Sequence, residues 1–229
     1  MMIFIYIISL LVFLYIIYKT SKDDFVLLRR NVSIEQMFDT SFFVLIASIL
    51  IGRIVFVILH PSWSYANPLV FFLFPYFPGM SLVGGVVGSL LFLSFFAGRK
   101  KMPFAHVADI FSLAYLWAIT VGNILLELFL LITRKFSITQ SFIALFLFVT
   151  LILLHVIFLK GKWKDGRVSI VILQILTAIF LLSGILQNLL AKKFIIDTNT
   201  IFLATVFLFL LFFSIKPEQK FALFKKKII

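Results

Sequence analysis

Arg53 lies inside a long apolar stretch, FVLIASILIGRIVFVILH, and an ionisable group at membrane depth is costly enough to be informative. Its guanidinium carries a planar fork of donors that suits a phosphodiester. Arg53 is therefore a candidate ligand for a lipid phosphate. The alternative is that its side chain snorkels toward the membrane surface.

Asn123 and Glu127 lie in a second apolar stretch, AYLWAITVGNILLELFL. They are four residues apart, so they share one helix face and both could point into a helix bundle. Glu127 could neutralise Arg53 in an ion pair. The alternative is that Glu127 lies near enough to the interface to be hydrated.

Glycines cluster in GMSLVGGVVG at 79–88, within an apolar segment. Gly84 and Gly88 have the small-xxx-small spacing that lets membrane helices approach closely, and Gly85 widens the groove. Backbone amides at the mouth of such a groove could also receive a lipid headgroup. The residues alone leave both explanations open.

The remaining titratable groups predict no metal site. Asp109 is expected in the first turn of a helix, where its charge favourably meets the helix dipole. His106 and His60 are expected near the interfaces, and His155 in a helix-packing hydrogen bond. Three scattered histidines without carboxylate company do not form a metal centre, so neither metal nor cofactor is expected. The chain has no cysteine, which excludes a cysteine nucleophile and a disulfide.

The composition predicts a polytopic membrane protein. Of the 229 residues, 63% are hydrophobic and 13% are charged, and the mean hydropathy is +1.19. Because a spanning helix needs about 20 mostly apolar residues, we expect an all-α fold with about seven transmembrane helices in a single domain, 1–229. The first lacks a basic n-region and a cleavage site, so we interpret it as a retained span. The predicted spans are roughly 2–18, 40–59, 79–98, 104–130, 138–159, 168–190 and 198–215.

Basic residues fall mainly on one side of these spans. Of the 21 lysines and arginines, 16 lie in the odd-numbered gaps and the C-terminal tail, and 4 lie in the even-numbered gaps. The positive-inside rule then places the N-terminus outside and the C-terminus in the cytoplasm. The net charge of +12 is thus explained by anionic inner-leaflet lipid better than by nucleic acid.

Two gaps between spans carry further signals. In the first gap, residues 32–35 suit a short interfacial turn, and residues 39–41 suit a capped helix start. The second gap, HPSWSYANPLVFFLFPYFP, combines four prolines with aromatic residues. It is expected to be a re-entrant or surface-lying segment on the outer side, or else an ordinary aromatic belt.

Several of these stretches, in this order, resemble the prolipoprotein diacylglyceryl transferases of bacterial membranes. Asp39, Gly52 and Arg53 fall where that family has its D and G-A-R-L-G-Y segment, and ANPL at 66–69 follows in the expected place. GMSLVGGVVG is similar to G-M-S-F-H-G-G-L-x-G, and RKKMPFAHVADIFSLAY to R-R-x-x-x-P-F-x-x-x-A-D-x-x-x-P. AITVGNILLEL resembles R-I-G-N-F-I-N-G-E-L, and SITQSFIALFLF resembles H-P-T-Q-L-Y-E-A-L. The resemblance covers about residues 1–150 well and the last third weakly.

The resemblance implies transfer of a diacylglyceryl group from phosphatidylglycerol to the thiol of a lipobox cysteine, in the bacterial inner membrane. It implies phosphatidylglycerol, bilayer lipid and prolipoprotein signal peptides as partners. It also implies headgroup contacts by the residues that match the motifs. The predicted lipid-binding residues are Arg53, Gly84, Gly85, Asn123 and Glu127.

The chain departs from the family at several chemical positions, among them a late arginine near span six that has no counterpart in LSGILQNLLAKK, and in one segment. Val83 stands where the family has a histidine, and Thr120 stands where it has an arginine. The family's large outer segment between spans four and five is reduced to about seven residues. No catalytic residue is therefore assigned, and two functions remain open. The first is a transferase whose rearranged site uses Arg53, Asn123 and Glu127; the second is a non-catalytic homologue that binds anionic lipid or a lipoprotein precursor.

Overall fold

The structure, a computed structural model, describes residues 2–61, 79–134, 138–159, 164–190, 201, 203–208 and 211. These residues are helical and contain no strand, which confirms the all-α prediction for this part of the chain. The helices with described bounds are α1 (Met2–Lys22), α2 (Phe25–Arg29), α3 (Ile34–Leu59), α4 (Leu82–Arg99), α5 (Phe104–Ile132), α6 (Ile138–Leu159) and α7 (Arg167–Leu190).

Five of these helices, α1, α3, α5, α6 and α7, are long and apolar enough to cross a membrane. In α4 the apolar stretch is shorter and covers Gly84–Arg99. Six predicted spans thus coincide with helices of the structure. The seventh, 198–215, and the proline-rich segment 62–78 lie wholly or largely outside the described residues, so the count of seven stays a prediction.

The start of α3 was predicted too late in the sequence. The helix begins at Ile34, and Ser33 forms a capping box with Gln36: the Ser33 hydroxyl accepts from the Gln36 amide, and the Gln36 side chain accepts from the Ser33 amide. Thr40 and Ser41 are buried inside the helix and donate to the carbonyl oxygens of Gln36 and Met37. The helix starts earlier because the capping box at Ser33 satisfies its first amides there.

The start of α5 corrects the expectation for Asp109. The helix begins at Phe104, directly after Pro103, whose fixed φ suits a helix start. Asp109 therefore lies in the second turn, beyond the first turn that the sequence predicted, and it is buried.

The described chain forms two compact units. The unit Leu14–Phe111 contains the end of α1, the helices α2, α3 and α4, and the start of α5, and α3 and α4 pack along each other. Its buried apolar residues include Leu27, Met37, Val44, Ala47, Leu93 and Ala97.

The other unit combines Met1–Phe13 with Ser112–Ile229. Its core is a cluster in which leucines and isoleucines recur every three to four residues, the period that places them on one helix face. This packing joins the middle of α5 to α6 and α7. The cluster contains Leu113, Leu116, Ile143, Leu147, Leu151, Leu154, Val168, Ile172, Leu176 and Ile179.

Candidate functional site

Arg53 is enclosed by protein. Only 2% of its surface is exposed, and its terminal nitrogen donates a 2.6 Å hydrogen bond to the carbonyl oxygen of Gly79. Its guanidinium carbon also lies 5.8 Å from the centre of the Phe56 ring. This placement argues against snorkelling to the surface. Arg53 instead holds the chain that leads into α4.

A second contact fixes the same entry to α4. The Ser81 amide donates to the carbonyl oxygen of Gly52, at 3.0 Å, so two consecutive residues of α3 hold the segment 79–81. Ser81 is the N-cap of α4, and its hydroxyl accepts from the Gly84 amide. The Gly85 amide donates to the Ser81 carbonyl oxygen. The amides of both glycines are thus engaged in starting the helix.

The glycines of α4 are needed for its close approach to α3. A Cβ added at Gly84 would lie 2.7 Å from the Cβ of Val55, and one added at Gly88 would lie 2.7 Å from the Cβ of Ile51. A Cβ at Gly52 would lie 3.3 Å from the amide nitrogen of Gly85. Close helix packing therefore accounts for these glycines, and a headgroup role for Gly84 and Gly85 stays a prediction.

Asn123 and Glu127 lie one turn apart on α5, and both bond to the start of α6. Gln140 donates from its amide nitrogen to the side-chain oxygen of Asn123, at 2.8 Å. The Ser141 hydroxyl donates to one carboxylate oxygen of Glu127. We call these four residues the α5–α6 polar seam.

One acceptor atom of the α5–α6 polar seam receives no hydrogen bond within the described residues. The side-chain nitrogen of Asn123 donates a 2.8 Å hydrogen bond to the Ile119 carbonyl oxygen. The second carboxylate oxygen of Glu127, Oε2, is buried and accepts no hydrogen bond within the described residues. A carboxylate held in this way can accept a proton from a nearby acidic group.

The two positions that depart from the family motifs lie in regular helix. Thr120 is fully buried in α5, and its hydroxyl donates to the Leu116 carbonyl oxygen at 2.6 Å. The hydroxyl is thus used inside its own helix. Val83 lies in the first turn of α4.

His106 and Asp24 form a pair that the sequence did not predict. The Nε2 atom of His106 lies 2.8 Å from a carboxylate oxygen of Asp24, and both side chains are largely buried. The His106 side chain is therefore enclosed by protein, and its place near a membrane interface stays a prediction. Burial raises the pKa of Asp24, but hydrogen bonds from His106 and from the Leu27 and Val26 amides outweigh it and hold that pKa below its ordinary value of 3.8.

The other two histidines contact aromatic rings. His60 ends α3 and stacks on Phe56, with the ring centres 4.6 Å apart. His155 on α6 meets Trp117 of α5 edge to face at 5.5 Å. Among the described residues, no three His, Asp or Glu side chains lie close enough together to hold a metal ion.

The predicted lipid-binding residues fall into two groups. Arg53, Gly84 and Gly85 belong to the unit Leu14–Phe111, and Asn123 and Glu127 belong to the other unit. Each group is brought together locally, and an ion pair between Arg53 and Glu127 stays a prediction.

Sequence reasoning missed the partners of the second group, Gln140 and Ser141. The signal that could have found them is SITQSFIALFLF, which resembles a family motif and carries three polar residues in succession near a helix start.

Comparison with known proteins gives two matches. Residues 3–125, more than half of the chain, match the family model described as prolipoprotein diacylglyceryl transferase. A stretch of 81 residues is 31% identical to the phosphatidylglycerol–prolipoprotein diacylglyceryl transferase of Bordetella parapertussis. That match covers 34% of this chain and 30% of the relative.

Proposed function

Because the chain belongs to the prolipoprotein diacylglyceryl transferase family, we propose that it transfers a diacylglyceryl group from phosphatidylglycerol to the lipobox cysteine of a prolipoprotein. The observation that carries this proposal is the family match over residues 3–125. The name of the Bordetella parapertussis relative specifies the same two substrates. The apolar helices of the structure support a membrane location for such a reaction.

The proposal includes the topology and the compartment. The chain crosses the bacterial inner membrane seven times, with its N-terminus outside and its C-terminus in the cytoplasm. The five long apolar helices and α4 supply six of these spans, and residues 198–215 supply the seventh. Phosphatidylglycerol and prolipoprotein signal peptides reach the site from the bilayer.

In the proposed reaction the cysteine sulfur attacks the terminal glycerol carbon of the diacylglyceryl group. A carbon–sulfur bond forms, the bond from that carbon to the phosphate oxygen breaks, and glycerol phosphate leaves with the electron pair. The thiol proton must pass to a base. Glu127 is our candidate for that base, because its Oε2 atom has no hydrogen-bond donor within the described residues.

The residues proposed to contact the headgroup contribute in three ways: by a positive charge, by a polar amide and by close helix packing. Arg53 supplies a cation for the phosphate, and Asn123 supplies a polar amide beside Glu127. Gly84 and Gly85 contribute by letting α4 pack closely against α3 beside Arg53, since their amides already bond to Ser81.

The test is an activity assay in vesicles that contain labelled phosphatidylglycerol and a lipobox peptide. We expect the label to appear on the peptide, and to be absent from a peptide in which serine replaces the cysteine. Glu127→Gln should lower the rate by about 10²–10⁴, because it removes the proton acceptor. Ser141→Ala keeps the carboxylate and should retain most of the activity.

No transfer by this chain, while the Bordetella parapertussis enzyme is active in the same vesicles, would contradict the proposed reaction. Equal loss of activity in Glu127→Gln and Ser141→Ala would instead remove Glu127 from the role of base and leave the reaction standing.

A second function is favoured by Thr120. Its hydroxyl is buried and bonded within α5, at the position where the family motif has an arginine. A chain without that cation could bind phosphatidylglycerol or a lipoprotein precursor and perform no transfer. The outcome that supports this function is co-purification of phosphatidylglycerol without activity, with less of the lipid in Arg53→Ala.

A further inference from the structure

The short helix α2 is fixed in place at its start. Asp24 is its N-cap, and one carboxylate oxygen accepts from the amides of Val26 and Leu27 at 2.9 and 3.0 Å. The other oxygen bonds to His106 of α5. One carboxylate thus closes the first turn of α2 and ties it to the cytoplasmic-side start of a long helix, as the proposed topology orients it.

The end of α2 is also fixed. The Val32 amide donates to the Leu27 carbonyl oxygen at 3.0 Å, and the Asn31 amide donates to that of Leu28 at 3.1 Å. With Asn31 at a φ of 54°, this is a Schellman motif, and its two apolar residues, Leu27 and Val32, are both buried. A helix of five residues is thus held in one orientation by its caps and its buried side chains.

The opposite face of α2 carries apolar side chains that the protein does not cover. Phe25 is 78% exposed and Leu28 is 59% exposed, three residues apart and therefore on one face. Since Leu27 and Val32 are buried, the exposure of Phe25 and Leu28 follows from the orientation in which α2 is held, and not from fraying.

Exposed cations lie next to this apolar face along the chain. Arg29 and Arg30 end the helix and are exposed, and Lys19 and Lys22 are exposed at the end of α1. The ammonium group of Lys22 lies 5.9 Å from the centre of the Tyr18 ring. This combination of apolar and cationic side chains is typical of a segment that lies in the headgroup region of an anionic membrane.

We propose that Phe25, Leu28, Arg29 and Arg30, here called the α2 surface, dock on the anionic lipid of the bilayer that surrounds the protein. Phe25 and Leu28 insert at the boundary of the headgroups and acyl chains, about 5–10 Å deep, and the two arginines bind lipid phosphates. This contact is separate from the transferase reaction. It anchors the connection between α1 and α3, independently of any substrate site.

The test uses the absence of cysteine from the chain. A nitroxide is attached to Phe25→Cys and, as a control, to Asp23→Cys, an exposed residue just before α2. Each protein is reconstituted in phosphatidylcholine alone and in a three-to-one mixture of phosphatidylcholine with phosphatidylglycerol. Electron paramagnetic resonance then compares the collision of the label with oxygen, which concentrates in lipid, and with a water-soluble nickel chelate.

At position 25 we expect oxygen to be favoured severalfold over the chelate, and the preference to increase when phosphatidylglycerol is present. Arg29→Gln with Arg30→Gln should remove that increase. Arg99→Gln with Lys101→Gln changes the net charge equally at another connection and should leave it in place. Position 23 should stay open to the chelate.

Two results would overturn the proposal. A label at position 25 that the chelate reaches freely in both lipids would show that the α2 surface faces water and not lipid. A buried label whose depth does not depend on phosphatidylglycerol would exclude recognition of anionic headgroups. Neither result depends on transferase activity, so the two proposals fail separately.

Discussion

Single glycines set how closely α3 and α4 approach. At Gly84 and Gly88, the space that a side chain would need is occupied by the Cβ atoms of Val55 and Ile51. Those atoms are bound directly to the α3 backbone, so a side-chain rotation cannot move them away. Accommodating even one methyl group would require the two helices to separate.

We therefore expect Gly84→Ala and Gly88→Ala each to destabilise the protein by about 1–3 kcal/mol, the usual cost of overpacking. Gly98→Ala is the matched control, because a Cβ there meets no atom within 4 Å and alanine favours helix by about 0.5–1 kcal/mol. The measurement is the midpoint of thermal unfolding in detergent, followed by circular dichroism. A drop at position 98 as large as at 84 would disprove the packing explanation.

The Asp24 carboxylate makes part of the stability depend on pH. Its pKa in the folded protein lies below 3.8, so its contribution is fully present above that value and is lost as the pH falls through the lower, folded-state pKa. Asp24→Asn keeps the helix cap but has no charge. It should lower the free energy of unfolding by about 1 kcal/mol at neutral pH.

The measurement is unfolding of the wild type and Asp24→Asn between neutral pH and the acid range. The difference between the two proteins should shrink once the Asp24 carboxyl is protonated. A difference that is equally large at every pH would show that the charge of Asp24 makes no contribution.

At the scale of elements, α2 and α4 end by a common device. At the end of α4, the Met102 amide donates to the Ala97 carbonyl oxygen and the Lys101 amide to that of Gly98, with Lys101 at a φ of 53°. Left-handed backbone costs a residue with a side chain roughly 1–2 kcal/mol, and glycine usually takes this position.

Lys101→Gly should therefore raise the free energy of unfolding by about 0.5–1 kcal/mol, after the greater freedom of glycine in the unfolded chain is deducted. Asn31→Gly, at the corresponding position of α2, is the comparison and should gain less, since asparagine tolerates this backbone conformation well. Chemical denaturation in mixed micelles measures both. A loss of stability in Lys101→Gly would contradict the account.

Elements that depend on residues close together in the sequence could be predicted, whereas features that depend on contacts between distant residues could not. Apolar length was enough to predict α1, α5, α6 and α7, since it is local. The start of α3 was misplaced by six residues because the Ser33 capping box was interpreted as a turn. The burial of Arg53 could not be predicted, since it depends on Gly79, 26 residues away along the chain.

The candidate site shows the same contrast between local spacing, which could be predicted, and contacts with distant residues, which could not. The spacing of Asn123 and Glu127 correctly predicted a shared helix face, which the bonds to Gln140 and Ser141 reveal. Their partners could not be predicted from spacing, because they lie on the next helix. The Asp24–His106 bond joins residues 82 positions apart, and no sequence pattern signalled it.

At the scale of the whole molecule, the distribution of positive charge predicts which connections face the cytoplasm. A chain without cysteine allows a direct test by single substitutions. Lys101→Cys should react with a membrane-impermeant maleimide only in inside-out vesicles. Thr133→Cys should react only when the outer side is accessible, as in intact cells. Both positions are exposed. Labelling of both from the same side would refute the proposed topology.

The length of α4 has a consequence for the lipid around it. Its 18 residues span about 27 Å, whereas the hydrocarbon core of a typical bilayer is about 30 Å thick and its neighbour α3, with 26 residues, spans about 39 Å. In the proposed topology, lipids beside α4 therefore meet a hydrophobic mismatch, which costs a fraction of a kcal/mol per Å and is relieved when the bilayer thins there. Acyl chains of shorter length should accordingly be enriched beside α4, so that this helix sorts lipids by chain length.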